Sequence, residues 1–166
     1  MKISVLSLFR DSEKFLERMF SKLEAIENEY ELEYFFYEND SKDNTRKLIQ
    51  EWMEERNGQF IYEDINTPSF DHVTDPNRMT LMTQYRNRLL DEAAPFDSDY
   101  TLLIDSDVDF SGHIVDDYIP FFKDGVVMCT PNIKQNINCV MGEPKELSYY
   151  DSYALKDTKG SKGMLL

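Results

Sequence analysis

No stretch of about 18 apolar residues occurs in this 166-residue chain, so no membrane-spanning helix can be read from it. Basic residues are also short. Eighteen Lys and Arg face 32 Asp and Glu, a formal net charge of −14. Such a surface repels nucleic acid, whose binding rests on phosphate contacts. A small phosphorylated ligand stays compatible if a metal ion or a few Arg and Lys residues meet its phosphates locally. Cysteine is nearly absent. Cys129 and Cys139 make no disulfide framework and lack metal-ligand spacing, which fits a reducing compartment and a cytoplasmic location. Glycine is scarce too, and "SLFRDSEKF" (7–15) contains none, so the first turn is no Gly-rich phosphate loop. No small-residue cleavage site follows the N-terminal apolar run, which therefore reads as a strand and not as a signal peptide. No internal repeat and no low-complexity segment is visible.

What is present suffices for one globular domain, 1–166: 41% of the residues are hydrophobic and 13% aromatic. "KISVLSLF" (2–9) is apolar and β-branched, and predicts a buried strand. Phe15, Leu16, Met19, Phe20, Leu23 and Ile26 then recur at helical spacing. "LEYFFYE" (32–38) predicts a second strand. "DNTRKLIQEWMEER" (43–56) predicts a second helix, with Leu48, Ile49, Trp52 and Met53 on one face. A third strand is expected over 59–64 and a third helix over 77–93. Between them, 65–76 has no period and two prolines, and loops of that length are often functional or mobile. A fourth strand at 99–104, a short helix at 113–122 and a fifth strand at 125–130 complete the pattern. Strands alternating with helices imply an α/β fold with a mostly parallel central sheet flanked by helices. Beyond Pro131 the pattern fades.

In a parallel sheet, ligands bind beyond the carboxyl ends of the strands. Three polar clusters fall there: Phe9-Arg10-Asp11, "YENDSKDNT" (37–45) and "DSDVD" (105–109). Side chains alternate along an extended segment, so Asp105, Asp107 and Asp109 are expected on one face. Close carboxylates suit Mg²⁺ or Mn²⁺, especially when phosphate oxygens and water complete the shell. A solvated turn is the plain alternative. An EF-hand-type loop fits poorly, because Phe110 stands where Gly is needed and Asp116 where Glu is needed. "YENDSKDNT" also reads simply as a strand end, an Asx-type turn and a helix cap from Ser41 or Asp43. Arg86 and Arg88 are two residues apart on the third helix and point to different faces. An inward one would suit a diphosphate. His72 sits in the long loop, where a lone His is more often solvated surface than a substrate contact. The sequon Asn39-Asp40-Ser41 falls inside the second cluster.

Together these residues resemble the nucleotide-sugar domain of glycosyltransferases with the Rossmann-like GT-A fold. The apolar run ending in Asp105-Ser106-Asp107 resembles that family's DxD motif. "ISVLSLFRDSEKFL", "YENDSKDNT" and "YRNRLLDEA" stand in the family's order. The likeness covers about residues 2–130, and 131–166 would form a short acceptor-side part. "YYDSYALKD" (149–157) resembles a segment of fungal capsule-type mannosyltransferases and of related proteins from large viruses, in which case the location would be the host cytoplasm. About 57 residues follow Asp109, so the acceptor half is expected to be reduced.

The resemblance implies a hexosyltransferase-type enzyme. It would move a sugar from a UDP- or GDP-sugar to a hydroxyl of a glycan or glycoprotein, with Mn²⁺ or Mg²⁺ as cofactor. Asp107 would be the principal metal ligand, and Asp105 would hold metal or ribose. Glu38 would meet the base or ribose, with Phe9, Arg10 and Asn39 nearby, and Arg86 would contact the nucleotide. Asp151, or else Glu146, would be the acidic group near the acceptor. Three rivals remain at this level. One is a Mg-dependent nucleotidyltransferase, which would usually show a Gly-rich first loop. Another is a phosphatase whose DxD nucleophile follows the first strand. The third is a nucleotide- or sugar-binding remnant without turnover.

Overall fold

Strand positions buried on both faces need helices on both sides, and the chain supplies them. The structure is a computed structural model describing residues 1–70, 75–93, 98–122, 134–135 and 148–149. It divides into two units, Met1–Asp117 and Tyr118–Leu166. The first holds β1 (Lys2–Phe9), α1 (Glu13–Glu27), β2 (Glu31–Asn39), α2 (Thr45–Met53), β3 (Gly58–Glu63), α3 (Pro76–Ala93), β4 (Tyr100–Leu103) and most of α4 (Ile114–Tyr118). The sheet order is β3-β2-β1-β4, and every pairing is parallel. The fold is thus α/β with a parallel sheet, as the alternation implies. In the second unit the described residues make a 3₁₀ turn, Ile119–Phe121, and an antiparallel pair, β5 (Lys134–Gln135) with β6 (Ser148–Tyr149). The strand expected at 125–130 lies outside the described residues.

Strand parity decides which face each residue joins. Ile3, Val5 and Phe9 of β1 and Leu32, Tyr34 and Phe36 of β2 pack with Leu16, Met19, Leu23 and Ile26 of α1 and Ile49 of α2. Leu6, Phe35 and Tyr37 face the other way, onto Tyr85, Leu89 and Ala93 of α3. These three α3 residues recur every four positions, the stripe a helix lays on a sheet. Trp52 ties α2 to α1: it stacks on Phe20 with centroids 4.3 Å apart, and the Arg56 guanidinium lies 3.9 Å above its ring.

Gly58 opens β3 at φ +136°, and a Cβ there would lie 1.9 Å from the Tyr34 carbonyl oxygen. Only glycine lets these two backbones approach so closely. At the other side of the sheet β4 stops at Leu103. The chain then turns, with Val108 N donating to Asp105 O (3.1 Å). It returns to the α1 face through the buried Ile104 and Phe110.

Candidate functional site

β1 is flanked by β2 and β4, so the chain reverses its winding direction there. In an open α/β sheet that reversal opens a crevice beyond the strand ends. The loops that border it are tied together by hydrogen bonds.

Those after β1 and β2 are stitched to each other. Asp11 N donates to Ser41 Oγ (3.0 Å) and Lys42 N to Asp11 Oδ1 (2.7 Å). Ser12 N donates to Thr45 Oγ1 (2.7 Å). Glu13 N donates to Asp43 Oδ2 (3.1 Å), and Asn44 N to Glu13 Oε2 (2.9 Å). Each helix start thus borrows a carboxylate from the other loop to satisfy its free N–H groups. Asp43 also accepts from Thr45 N (3.0 Å), an Asx-type bond. The N-cap of α2 is Asn44, which makes no side-chain capping bond, so neither Ser41 nor Asp43 is the expected cap residue.

A circuit of contacts, completed by two neighbouring pairs in the chain, links the segments that follow β1, β3 and β4 with α3. Ser12 Oγ lies 2.9 Å from Ser106 Oγ and donates to Arg10 O (3.1 Å). Arg10 Nη2 donates to Thr67 O (3.3 Å). Thr67 Oγ1 lies 3.0 Å from the Tyr85 hydroxyl. Next to Tyr85, Arg86 Nη2 meets Asp105 Oδ1 at 3.1 Å and Oδ2 at 3.3 Å, and Asp105 adjoins Ser106. Four candidates, Arg10, Asn39, Arg86 and Asp105, belong to this circuit or touch it.

Burial does alternate along 104–110 beyond the end of β4. Ile104, Ser106 and Phe110 are buried, while Asp105, Asp107 and Asp109 are all exposed. The shared exposure therefore arises in a turn and not on the extended segment the spacing suggested. Arg18 of α1 braces that turn, with Nη2 donating to Asp107 O (3.2 Å) and Nε 3.8 Å from Asp109 Oδ1. The Asp107 carboxylate meets no partner among the described residues. No three His, Cys, Asp or Glu side chains among the described residues form a set that would hold a metal ion unaided.

Phe9 and Glu38 sit differently from what their place in the sequence suggests. Phe9 is 2% exposed, its ring edge-on to Phe36. Glu38 is 0% exposed. Its Oε1 accepts from Ser41 N (2.7 Å) and its Oε2 from Arg46 Nε. Arg46 also reaches Asp64, Nη2 to Oδ1 at 2.7 Å. Glu38 thus braces the turn after β2, and both its oxygens are taken. Strand parity carries the signal for both positions: 9 follows 3 and 5, and 38 follows 34 and 36, all on the α1–α2 face.

Asn39 points to the opposite face and is 5% exposed. Its Nδ2 donates to Asp40 Oδ2 and to Thr67 Oγ1, each at 3.0 Å. Asp40 has φ 57°, a left-handed conformation that Asp tolerates better than most residues. Its carboxylate also accepts from Ile65 N (2.9 Å), Asn66 N (2.8 Å) and Thr67 N (2.8 Å). Burial pushes its pKa up, but the bonds from Thr67, Asn39 and Asn66 outweigh this and hold it well below the ordinary carboxylate range. Sequence reasoning missed Asp40, Thr67 and Arg46 as organisers of the site. Arg88 does not join the circuit. It pairs with Glu63 Oε2 at 2.7 Å, so the two arginines do part to different faces. A shallow groove between α2 and β3, lined in part by Lys47, Glu51, Phe60 and Tyr62, shares no residue with the circuit. Asp151, Glu146 and His72 lie outside the described residues.

No protein-family model matches the sequence, and no curated protein matches it. Among solved structures the chain is similar to residues 1–349 of S. aureus TarS, at 22% identity and a TM-score of 0.50, covering 73% of this chain and 32% of that one. It is similar also to the same TarS fragment in complex with UDP, at 20% identity, a TM-score of 0.50 and the same coverage. The chain spans about a third of the length of these TarS chains, and the likeness is one of fold.

Proposed function

We propose that the crevice beyond β1 and β4 binds a nucleoside diphosphate sugar, and that the protein is a metal-dependent glycosyltransferase of hexosyltransferase type. The observation that carries this is the circuit joining Arg10, Thr67, Tyr85, Arg86, Asp105 and Ser106 at the switch point. It lies on a fold similar to one that, in TarS, holds UDP. Arg10 and Asn39 bind the nucleoside, while Phe9 and Glu38 hold the strand ends that carry them. Arg86, which pairs with Asp105 at 3.1 Å, offers its planar fork of donors to the diphosphate. Asp105 and Asp107 would hold Mn²⁺ or Mg²⁺, since exposed carboxylate oxygens are the hard donors such ions take, with phosphate oxygens and water filling the remaining positions. When bound, the ion supplies charge neutralisation at the departing diphosphate. Asp151 is the proposed base for the acceptor hydroxyl of a glycan or glycoprotein.

The test is thermal unfolding with UDP or GDP. At a hundredfold excess over Kd, ligand should stabilise the protein by about 2.7 kcal/mol, and only when Mn²⁺ or Mg²⁺ is present. Asp107→Asn should remove the metal-dependent part and keep the ligand-free melting temperature. Equal stabilisation in excess chelator, or none with any nucleotide, removes the reading. Release of nucleoside diphosphate from a nucleotide sugar then separates an enzyme from a binding remnant.

A further inference from the structure

β3 is an edge strand. It pairs with β2, and no described strand lies on its other side. The pairing runs in unbroken register from Tyr34 with Gly58 to Asn39 with Glu63, so no bulge twists the edge away. Asn57 O accepts from Tyr34 N (2.9 Å) and Glu63 O from Asp40 N (3.2 Å). Direction alternates along a strand, so the odd-numbered residues of β3 turn their backbone N–H and C=O groups to β2. Gly58, Phe60 and Tyr62 turn theirs outward. Proteins blunt such edges with Lys, Pro or an inward-pointing charge. In a chain with 32 acidic residues, "GQFIYE" carries one charge, at its last position, and neither Lys nor Pro. Tyr62 is 48% exposed.

We infer that this edge pairs with the same edge of a second copy of the chain, antiparallel about a two-fold axis, so that the two sheets become one. Parity sets the register. In an antiparallel pair, residues that exchange both backbone bonds lie opposite each other, and here each must be an outward-turned one. Only the register centred on Phe60 pairs all three. It sets Phe60 opposite Phe60 of the second copy, and Gly58 opposite its Tyr62. The exposed Tyr62 ring then covers the one position of the strand that has no side chain. Gln59 meets Ile61, and Glu63 meets Asn57, so no like charges face each other across the pair.

The charges beside the strand are self-complementary in the same sense. α2 runs opposite to β3. Arg46, near its start, lies 5.0 Å over the Tyr62 ring and bonds Glu63 O, while its other end leads into Gly58. In the groove between α2 and β3, Lys47 therefore stands at one end and Glu54 at the other, both exposed. Lys47 also lies 3.7 Å from Glu51 of its own helix. A two-fold brings Lys47 of each copy to the Glu54 end of the other, whereas a parallel arrangement would set Lys beside Lys and Glu beside Glu. It also uses the same edge of both copies, so assembly stops at two. The net charge of −14 on each chain opposes association at long range, but at physiological salt, with a Debye length of about 8 Å, most of that repulsion is screened.

Sedimentation equilibrium of the full chain at physiological salt tests the idea, over about 1 to 100 µM, a range that spans micromolar dissociation constants. The mass should rise from the 19.6 kDa of one chain to twice that and stop. Tyr62→Pro removes an outward N–H at a place where an edge strand tolerates proline. It should weaken the dimer by about tenfold or more and keep the circular dichroism of the wild type. Lys47→Glu and Glu54→Lys should each weaken it by about threefold, and the two together should restore it. The double variant has the net charge of the wild type, so the rescue reads the pairing itself. If net charge alone decided, Glu54→Lys would tighten the dimer. A monomer at every concentration overturns the inference. So does a dimer that neither a folded Tyr62→Pro nor the charge reversals weaken, since another face would then carry it. Growth beyond two chains overturns the two-fold.

Discussion

Replacing Glu38 by Gln is an isosteric change at a fully buried position. Its consequence follows from counting donors. Two N–H groups point at the carboxylate, one from Ser41 and one from the Arg46 guanidinium. A carboxamide offers one acceptor oxygen and one NH₂, so whichever way it turns, one of these donors meets another donor. Breaking a buried ion pair costs about 3–5 kcal/mol. That is an upper bound here, because Arg46 is a quarter exposed and keeps its bonds to Asp64. A buried donor left unmatched costs about 1–3 kcal/mol. The expected loss is therefore about 2–3 kcal/mol, well above the half-kilocalorie of an ordinary surface change. For a unit spanning Met1–Asp117, the unfolding entropy is about 0.25 kcal/mol per degree. The melting temperature should thus fall by about 8–12 °C. Urea unfolding at pH 7 followed by circular dichroism measures the free energy, and calorimetry the midpoint. A loss under about 0.5 kcal/mol would mean that Glu38 does not brace the turn. Adding Arg46→Met to Glu38→Gln should cost less than the two single changes summed, since they share one contact, while the bonds of Arg46 to Asp64 and to Glu63 O are lost as well.

Gly58→Ala should destabilise the protein by at least about 2 kcal/mol, because the added methyl meets the Tyr34 backbone and the φ of +136° is strained for alanine. An unchanged urea midpoint would contradict the close approach of these strands. Acid should weaken the fold through Asp40, Asp43, Glu63 and Asp64, all of which have pKa values held below their ordinary range. Each adds stability above its unfolded value of about 3.9–4.3 and loses it as pH falls through the lower folded value. Unfolding free energy should therefore decline below about pH 4, and Asp40→Asn should make that decline shallower. The same slope in wild type and variant would show that the bonds to Asp40 contribute nothing.

Periodicity made the first unit largely legible. The first three strands and three helices fall within a few residues of where apolar spacing places them, because strands buried on both faces and helices with one apolar stripe write different periods. The fourth strand ends a residue early, since the chain turns at Asp105 to bring Val108 and Phe110 back onto α1. The polar clusters are visible as well, but their internal roles are not. Glu38 and Asn39 are neighbours in sequence and go to opposite faces of the sheet, one to Arg46 and the other to Thr67. Parity along β2 predicts that split. The partner at Thr67 is out of reach of any local pattern, because it sits 28 positions away in an aperiodic segment. Asp40 reads as an ordinary turn residue until its three backbone donors, 25 to 27 positions ahead, are seen to converge on it.

The central place of β1 has a consequence for how the chain is made. Its residues emerge before those of the other strands of the sheet, and β2 can pair with it once Glu31 and its followers are out. The other edge of β1 waits for β4, with Ile3 opposite Tyr100. At 5–20 residues per second, the roughly forty residues from Glu63 to Leu103 take about 2–8 s to synthesise. During that interval the nascent chain carries β1, β2 and β3 with an open strand edge, the kind of surface that invites pairing with another chain. A contact spanning 97 positions, such as Ser7 Oγ donating to Ile104 O (2.7 Å), also bears a larger loop-closure cost than the pairing of β1 with β2. Closure of that edge is thus the late step of folding, and the crevice proposed to hold the nucleotide exists only after it.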